Sequence, residues 1–167
     1  LGYEREVLRG VGDFGRHQEN WGLQNLGGEM DRIPKLGTWG AHGVIAMVSK
    51  RAMSDQLAAL GVPVVNVSSV GTRYALPSVV TDNTAVGRAA ADHLLDRGHR
   101  VLGFVGEAGH PVSEGRKAGF AEAVQERGIE VSVFEYDWPT DRPADEPLWM
   151  DQQRAIQAWA QDLGSPA

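Results

Sequence analysis

Asp82 and Arg116 are the two side chains on which a binding chemistry can first be built. Each stands at the predicted start of a helix that follows an extended segment, so both are expected at the rim of one crevice. A carboxylate accepts from two neighbouring hydroxyls, and a guanidinium donates to hydroxyl or ring oxygens in a fixed fork. The pair therefore suits a polyhydroxylated ligand, and Tyr3 could cover the C–H face of a sugar ring. A plainer reading stands equally open. Asp82 then caps its helix by accepting from the orphan N–H groups of the first turn, and Arg116 is a solvated first-turn side chain.

Other chemistries find less support. No two of the histidines His17, His42, His93, His99 and His110 stand at i, i+3 or i, i+4 spacing, which argues against a zinc or di-iron site. With no cysteine, disulfides, thiolate catalysis and iron–sulfur clusters are excluded. Gly103, Gly106 and Gly109 are spaced G-x-x-G-x-x-G, not the G-x-G-x-x-G of a dinucleotide loop. No G-x-S-x-G elbow is present, so Ser113 and His110 read as a helix N-cap and a loop residue. An enzyme built on them would rest on fold analogy alone. The chain is read as a non-enzyme that needs no cofactor.

Composition points the same way. The 167 residues are 42% hydrophobic and 23% charged, with a formal net charge of -6 and both signs interleaved. That balance is the wrong footprint for neutralising phosphates, so this segment is not expected to touch DNA. No apolar run approaches the roughly 20 residues of a membrane span, and no signal-peptide pattern opens the chain. A cytoplasmic location is the default expectation.

The elements that must position these residues follow from hydrophobic periodicity. Val7, Leu8, Val11 and Phe14 predict an amphipathic helix within Leu1 to Asn20, and Trp21 to Leu26 a short strand, followed by a loop to Gly40. Apolar runs at Gly43–Val48, Pro63–Val67 and Val101–Val105 read as buried parallel strands. Helices follow them: one carrying Met53 and Leu57 to a stop at Gly61, one from Asp82 to Gly98, one from Ser113 to Gly128. Ser78–Thr81 is a short extended piece, Val131–Phe134 a strand, Pro139–Pro147 a loop and Trp149–Leu163 a last helix. Alternation of this kind predicts an α/β fold of parallel sheets with helices on both faces. The chain opens on a helix and closes after one, so it reads as a piece of a larger α/β protein. Ligands in such sheets sit beyond the carboxyl ends of the strands. That rule selects Tyr3–Arg5, Ser49–Lys50, Asn66–Ser69, Thr81–Asn83 and Glu107–Arg116.

The run from Pro77 to His99, then Val101-Leu-Gly-Phe-Val-Gly106, then Gly115-Arg-Lys-Ala-Gly-Phe120, resembles effector-binding domains of the lactose/galactose-repressor (LacI/GalR) type. Within that group, Tyr3 to Val11, Asp82-Asn83 and the spacing of Trp149 to Trp159 are most similar to the sugar sensors of xylose-responsive regulators, which carry an AraC-type DNA-binding domain. The resemblance implies the two-lobed, type I periplasmic-binding-protein-like fold, with 1–100 as the first lobe, lacking its first strand, and 101–167 as the start of the second. It implies effector contacts from Asp82, Asn83 and Arg116, with Tyr3 and Arg5 matching residues after the first strand. The remaining contacts, an Asn-Asp pair in the second lobe, lie beyond this chain. A homodimer, a pentose effector such as xylose and DNA contacted only by the full-length protein are implied too. A periplasmic sugar-binding protein of a transporter shares the fold and is the alternative.

Overall fold

The computed structural model describes residues 2–18, 21–27, 30–137 and 146–163. Helix α1 spans Gly2–Gly15, and a short α2 spans Lys35–Thr38. Strand β1 (Val44–Ala46), helix α3 (Arg51–Ala58) and strand β2 (Val64–Asn66) form one crossover unit. After a 3₁₀ turn at Ser69–Arg73 come α4 (Asn83–Asp96), β3 (Leu102–Glu107), α5 (Pro111–Gln125), β4 (Val131–Tyr136) and α6 (Glu146–Leu163). Both strand pairs are parallel, with Val44 opposite Val64 and Leu102 opposite Val131. Parallel neighbours need a crossover, and α3 and α5 supply one each.

Side-chain alternation along β3 shows why helices cover both faces of its sheet. Leu102 and Phe104 pack with Ala91 and Leu95 of α4 and Phe120, Ala123 and Val124 of α5. Gly103, one residue out of phase, faces the other way, and a Cβ there would strike Trp159 and Leu163 of α6. Trp159 completes that face by donating its indole N–H to the Ser132 hydroxyl at 3.0 Å and stacking obliquely on Phe134. The β1–β2 sheet has its own core, in which Ala46, Val48 and Val64 meet Leu57 of α3 and Ile33. The chain thus holds two apolar cores, and α4 belongs to the one built on β3.

Helices α4 and α5 are the most closely packed pair. A Cβ on Gly87 would fall on the Arg116 carbonyl oxygen, and one on Gly119 on the Thr84 carbonyl oxygen. Only glycine lets the two backbones touch in this way. Arg88 then clasps the pair from outside. It donates to both carboxylate oxygens of Glu126 at 2.8 and 2.9 Å and pairs with Glu122 at 3.0 Å. Hydrogen bonding from Arg88 holds the Glu126 carboxyl below its ordinary value.

Several predicted boundaries shift. Residues Trp21–Leu26 form no strand. A strand exists through its ladder, and no strand pairs with these residues among those described. The first helix is described only as far as Gly15, with residues 1, 19 and 20 outside the described set. Ser78–Thr81 contributes one parallel bridge, Ser78 to Asn66. Helix α5 starts at Pro111, because proline at N1 lacks an N–H and is preset for the first turn. His110 is consequently the N-cap residue, with no side-chain cap bond, and Ser113 lies inside the first turn rather than capping it. Most of the predicted loop at Pro139–Pro147 lies outside the described residues.

Because the atoms a Cβ would meet at Gly119 are backbone, Gly119→Ala must force α4 and α5 apart. We expect urea unfolding to show a loss of about 2 kcal/mol or more. Unchanged stability would contradict the close crossing.

Candidate functional site

The carboxyl ends of β1 and β2 converge on Asn66, whose side chain is fully buried. A polar residue inside the apolar run Val64–Val67 must find its partners within the protein, and Asn66 finds all of them. Its Oδ1 accepts from the Val48 N–H at 3.2 Å and the Ser68 N–H at 2.9 Å. Its Nδ2 donates to the Ser68 carbonyl at 2.8 Å and the Ser78 hydroxyl at 2.9 Å. The Asn66 backbone pairs with Pro77 and Val79 on either side of Ser78. One residue therefore joins the end of β1, the turn after β2 and the segment that leads to α4.

That segment delivers Asp82 and Asn83. Asp82 is the N-cap of α4, with Oδ1 accepting from the Ala85 N–H at 2.9 Å. Asn83, only 9% exposed, is the junction of the site. A guanidinium only donates, so the amide oxygen must face it. Arg116 Nε–H donates to Asn83 Oδ1 at 3.1 Å, leaving Asn83 Nδ2 to donate to the Ser69 hydroxyl at 3.1 Å and the Thr81 carbonyl at 3.3 Å. The starts of α4 and α5 abut here, since a Cβ on Gly115 would lie 2.9 Å from that of Asn83.

Charge is distributed unevenly around this junction. Lys117 is held between Glu114 at 2.8 Å and Glu135 at 2.7 Å. Hydrogen bonds to those carboxylates raise its ammonium above the ordinary value, and the Lys117 contact pulls the Glu114 carboxyl down. Arg88 is committed to Glu122 and Glu126. Arg116, by contrast, meets a neutral amide, and among the described residues no carboxylate pairs with it.

The other sequence candidates fall differently. Tyr3, in the first turn of α1, donates its hydroxyl to the Val67 carbonyl at 2.8 Å, which brings it to the end of β2. Arg5 is 80% exposed on α1, with Glu6 beside it at 3.9 Å, and no contact among the described residues joins it to Asn83 or Arg116. Asp82 and Arg116 are not bonded to each other. Asn83 stands between Arg116 and the turn at Ser69, a role that helix-start spacing did not reveal. The polar break in Val64–Val67 was the available signal for Asn66.

A large groove among the described residues lies elsewhere. About 1140 Å³ of space separates α1 from the β1–β2 sheet, lined by Val7, Leu8, Val11, Trp21, Ile45 and Met47 among others. Val44 and Ala46 direct their backbone groups to β2, through Val44 N–H to Pro63 and Val67 N–H to Ala46. Ile45 and Met47 accordingly direct theirs to the opposite edge, which pairs with no strand among the described residues, and both residues remain 46% and 41% exposed. Apolar walls beside an open sheet edge suit backbone pairing, whereas a sugar needs convergent polar groups.

The profile of the family described as periplasmic binding proteins and sugar binding domain of LacI family matches residues 25–143. The xylose operon regulatory protein of Escherichia coli (strain K12) is 28% identical over 172 aligned positions, covering 96% of this chain and 42% of that protein. The chain thus spans less than half the length of the curated relatives it matches. Among solved structures, a LacI family transcriptional regulator from Enterococcus faecium with bound ribose aligns at a TM-score of 0.63 and 20% identity, covering 100% of this chain and 60% of that one. A transcription regulator from Lactobacillus plantarum aligns at 0.63 and 20% identity, covering 81% and 53%. At these identities the structural likeness establishes the fold, the type I periplasmic-binding-protein-like arrangement of parallel strands and helices.

Asn66→Ala strips the Val48 and Ser68 N–H groups of buried partners, and the expected loss in urea unfolding is about 3 kcal/mol. A loss below about 0.5 kcal/mol, the range of an ordinary surface substitution, would show that the strand ends do not depend on it.

Proposed function

We propose that this chain, which belongs to the family of periplasmic binding proteins and LacI-type sugar-binding domains, is the sensing part of a sugar-responsive transcription regulator. The observation that carries this reading is Arg116. Its guanidinium is held in place by the buried Asn83, unpaired with any carboxylate among the described residues, beyond the carboxyl ends of parallel strands. A fixed fork of N–H donors there binds hydroxyl and ring oxygens of a pentose such as xylose or ribose. Asp82 keeps one carboxylate oxygen beyond the one that caps α4, and that oxygen accepts from sugar hydroxyls. Tyr3 borders the same strand end. Arg5 is the weakest member of the set, because its described surroundings lie on α1.

The two apolar clusters among the described residues support a reading in which two lobes meet beside Arg116. We place their junction at residues 79–82, upstream of the Arg100 expected from sequence, since α4 packs with α5 and β3. The free edge of β1 and the groove beside it then receive a further strand of the first lobe. Sugar closes the lobes, and closure biases a DNA-binding domain outside this chain, in a cytoplasmic homodimer. No catalysis is involved. A DNA-binding segment in the flanking sequence would support this reading over a transporter's sugar-binding protein, which a secretory signal would favour.

Calorimetric titration of the full-length protein with D-xylose and D-ribose tests the proposal, and we expect binding heat with at least one. Arg116→Ala is expected to weaken that binding by about 2 kcal/mol. A folded protein that binds neither pentose refutes the pentose assignment, and unchanged affinity in the variant returns Arg116 to the surface.

A further inference from the structure

We infer that Asn83 is a positioning residue rather than a sugar contact, and that Ser69 and Asn83 together aim Arg116. The inference rests on the sugar-cleft reading only for its consequence on affinity. Its geometry stands in the protein without ligand.

A primary amide has two N–H donors and one carbonyl oxygen. Asn83 has committed all three groups: the donors to the Ser69 hydroxyl and the Thr81 carbonyl, the oxygen to Arg116 Nε–H. At 9% exposure, crowded by Gly115 at the start of α5, it has little surface to offer a ligand. Arg116 is in the opposite state. Its Nε is tied to Asn83, which fixes the plane of the guanidinium, while its two terminal nitrogens have no partner among the described residues. Fixing that plane in advance lowers the ordering cost of binding.

Ser69 matters because of where it sits. It opens the 3₁₀ turn after β2, next to Ser68, which Asn66 grips through both backbone groups. Arg116 sits on α5, whose apolar face belongs to the other core. The relay Ser69–Asn83–Arg116 therefore crosses from one core to the other, and the direction of the guanidinium depends on both. Loss of the Ser69 hydroxyl frees the amide to rotate and so loosens a side chain that Ser69 does not touch.

Two measurements on the full-length protein decide this. Without ligand, nitrogen-15 NMR should show Arg116 Nε–H exchange slowed by its hydrogen bond. We expect Ser69→Ala and Asn83→Ala to accelerate that exchange roughly fivefold, as loss of about one hydrogen bond should, and Ser69→Thr, which keeps the hydroxyl, to preserve it. Ser69→Ala leaves the Asp82 cap untouched, so it decides the matter alone if Asn83→Ala does not fold. Unaltered exchange in Ser69→Ala overturns the relay. With D-xylose or D-ribose, Ser69→Ala should weaken binding in the wild-type background and add nothing in Arg116→Ala. An equal loss in both backgrounds makes Ser69 a direct contact and overturns the inference. If neither pentose binds, the sugar reading fails while the exchange measurement still decides the relay.

Discussion

A buried side-chain amide has no water to fall back on, and Asn66 meets that constraint by tying together the end of β1, the turn after β2 and the segment that leads to α4. Its oxygen takes the N–H groups of Val48 and Ser68, and its nitrogen supplies the Ser68 carbonyl and the Ser78 hydroxyl. The geometry leaves no slack around it, since a Cβ at Gly71 would lie 2.5 Å from the Asn66 oxygen and 2.6 Å from the Val48 carbonyl. The turn at Ser69 is placed by this knot, and through it the amide of Asn83. A polar residue at the centre of an apolar strand end thus gives the neighbouring loops one arrangement instead of many.

On the other side of Asn83, position is set by contact rather than hydrogen bonding. Gly87 and Gly119 let α4 and α5 approach until their backbones touch, and Arg88 closes the outer side with Glu122 and Glu126. These exposed ion pairs add little to stability individually. Their functional weight is that they occupy Arg88, as Glu114 and Glu135 occupy Lys117. Arg116 emerges as a cation held at Nε by Asn83, with no carboxylate partner among the described residues, and a guanidinium in that state is suited to recognising oxygen-rich ligands. Sheet, helix crossing and charge pairing lead to one guanidinium beyond the strand ends.

Much of this was legible in the sequence. The apolar runs located β1, β2 and β3 to within a few residues because a buried parallel strand has no polar face to confuse the pattern. Local rules alone offered Thr81 or Asp82 as the N-cap of α4, and it is Asp82; Arg116 was expected in a first turn, but with α5 starting at Pro111 it lies in the second. The role of Asn83 was not, because it depends on a hydroxyl from a different element and a guanidinium from a third. Trp21–Leu26 carries strand-like residues, yet strand formation is a property of a pair, and among the described residues no partner lies beside it. Pro111 carried the information that α5 starts there, and a hydroxyl at Ser113 drew the predicted boundary past it.

The central claim is that the turn after β2 and the starts of α4 and α5 form one sugar-binding wall. Backbone amide shifts of the full-length protein, followed during titration with D-xylose and D-ribose, test it most directly. The account predicts saturable perturbations concentrated in residues 66–71, 82–84 and 113–117. Saturable binding whose perturbations leave all three segments unmoved would contradict it.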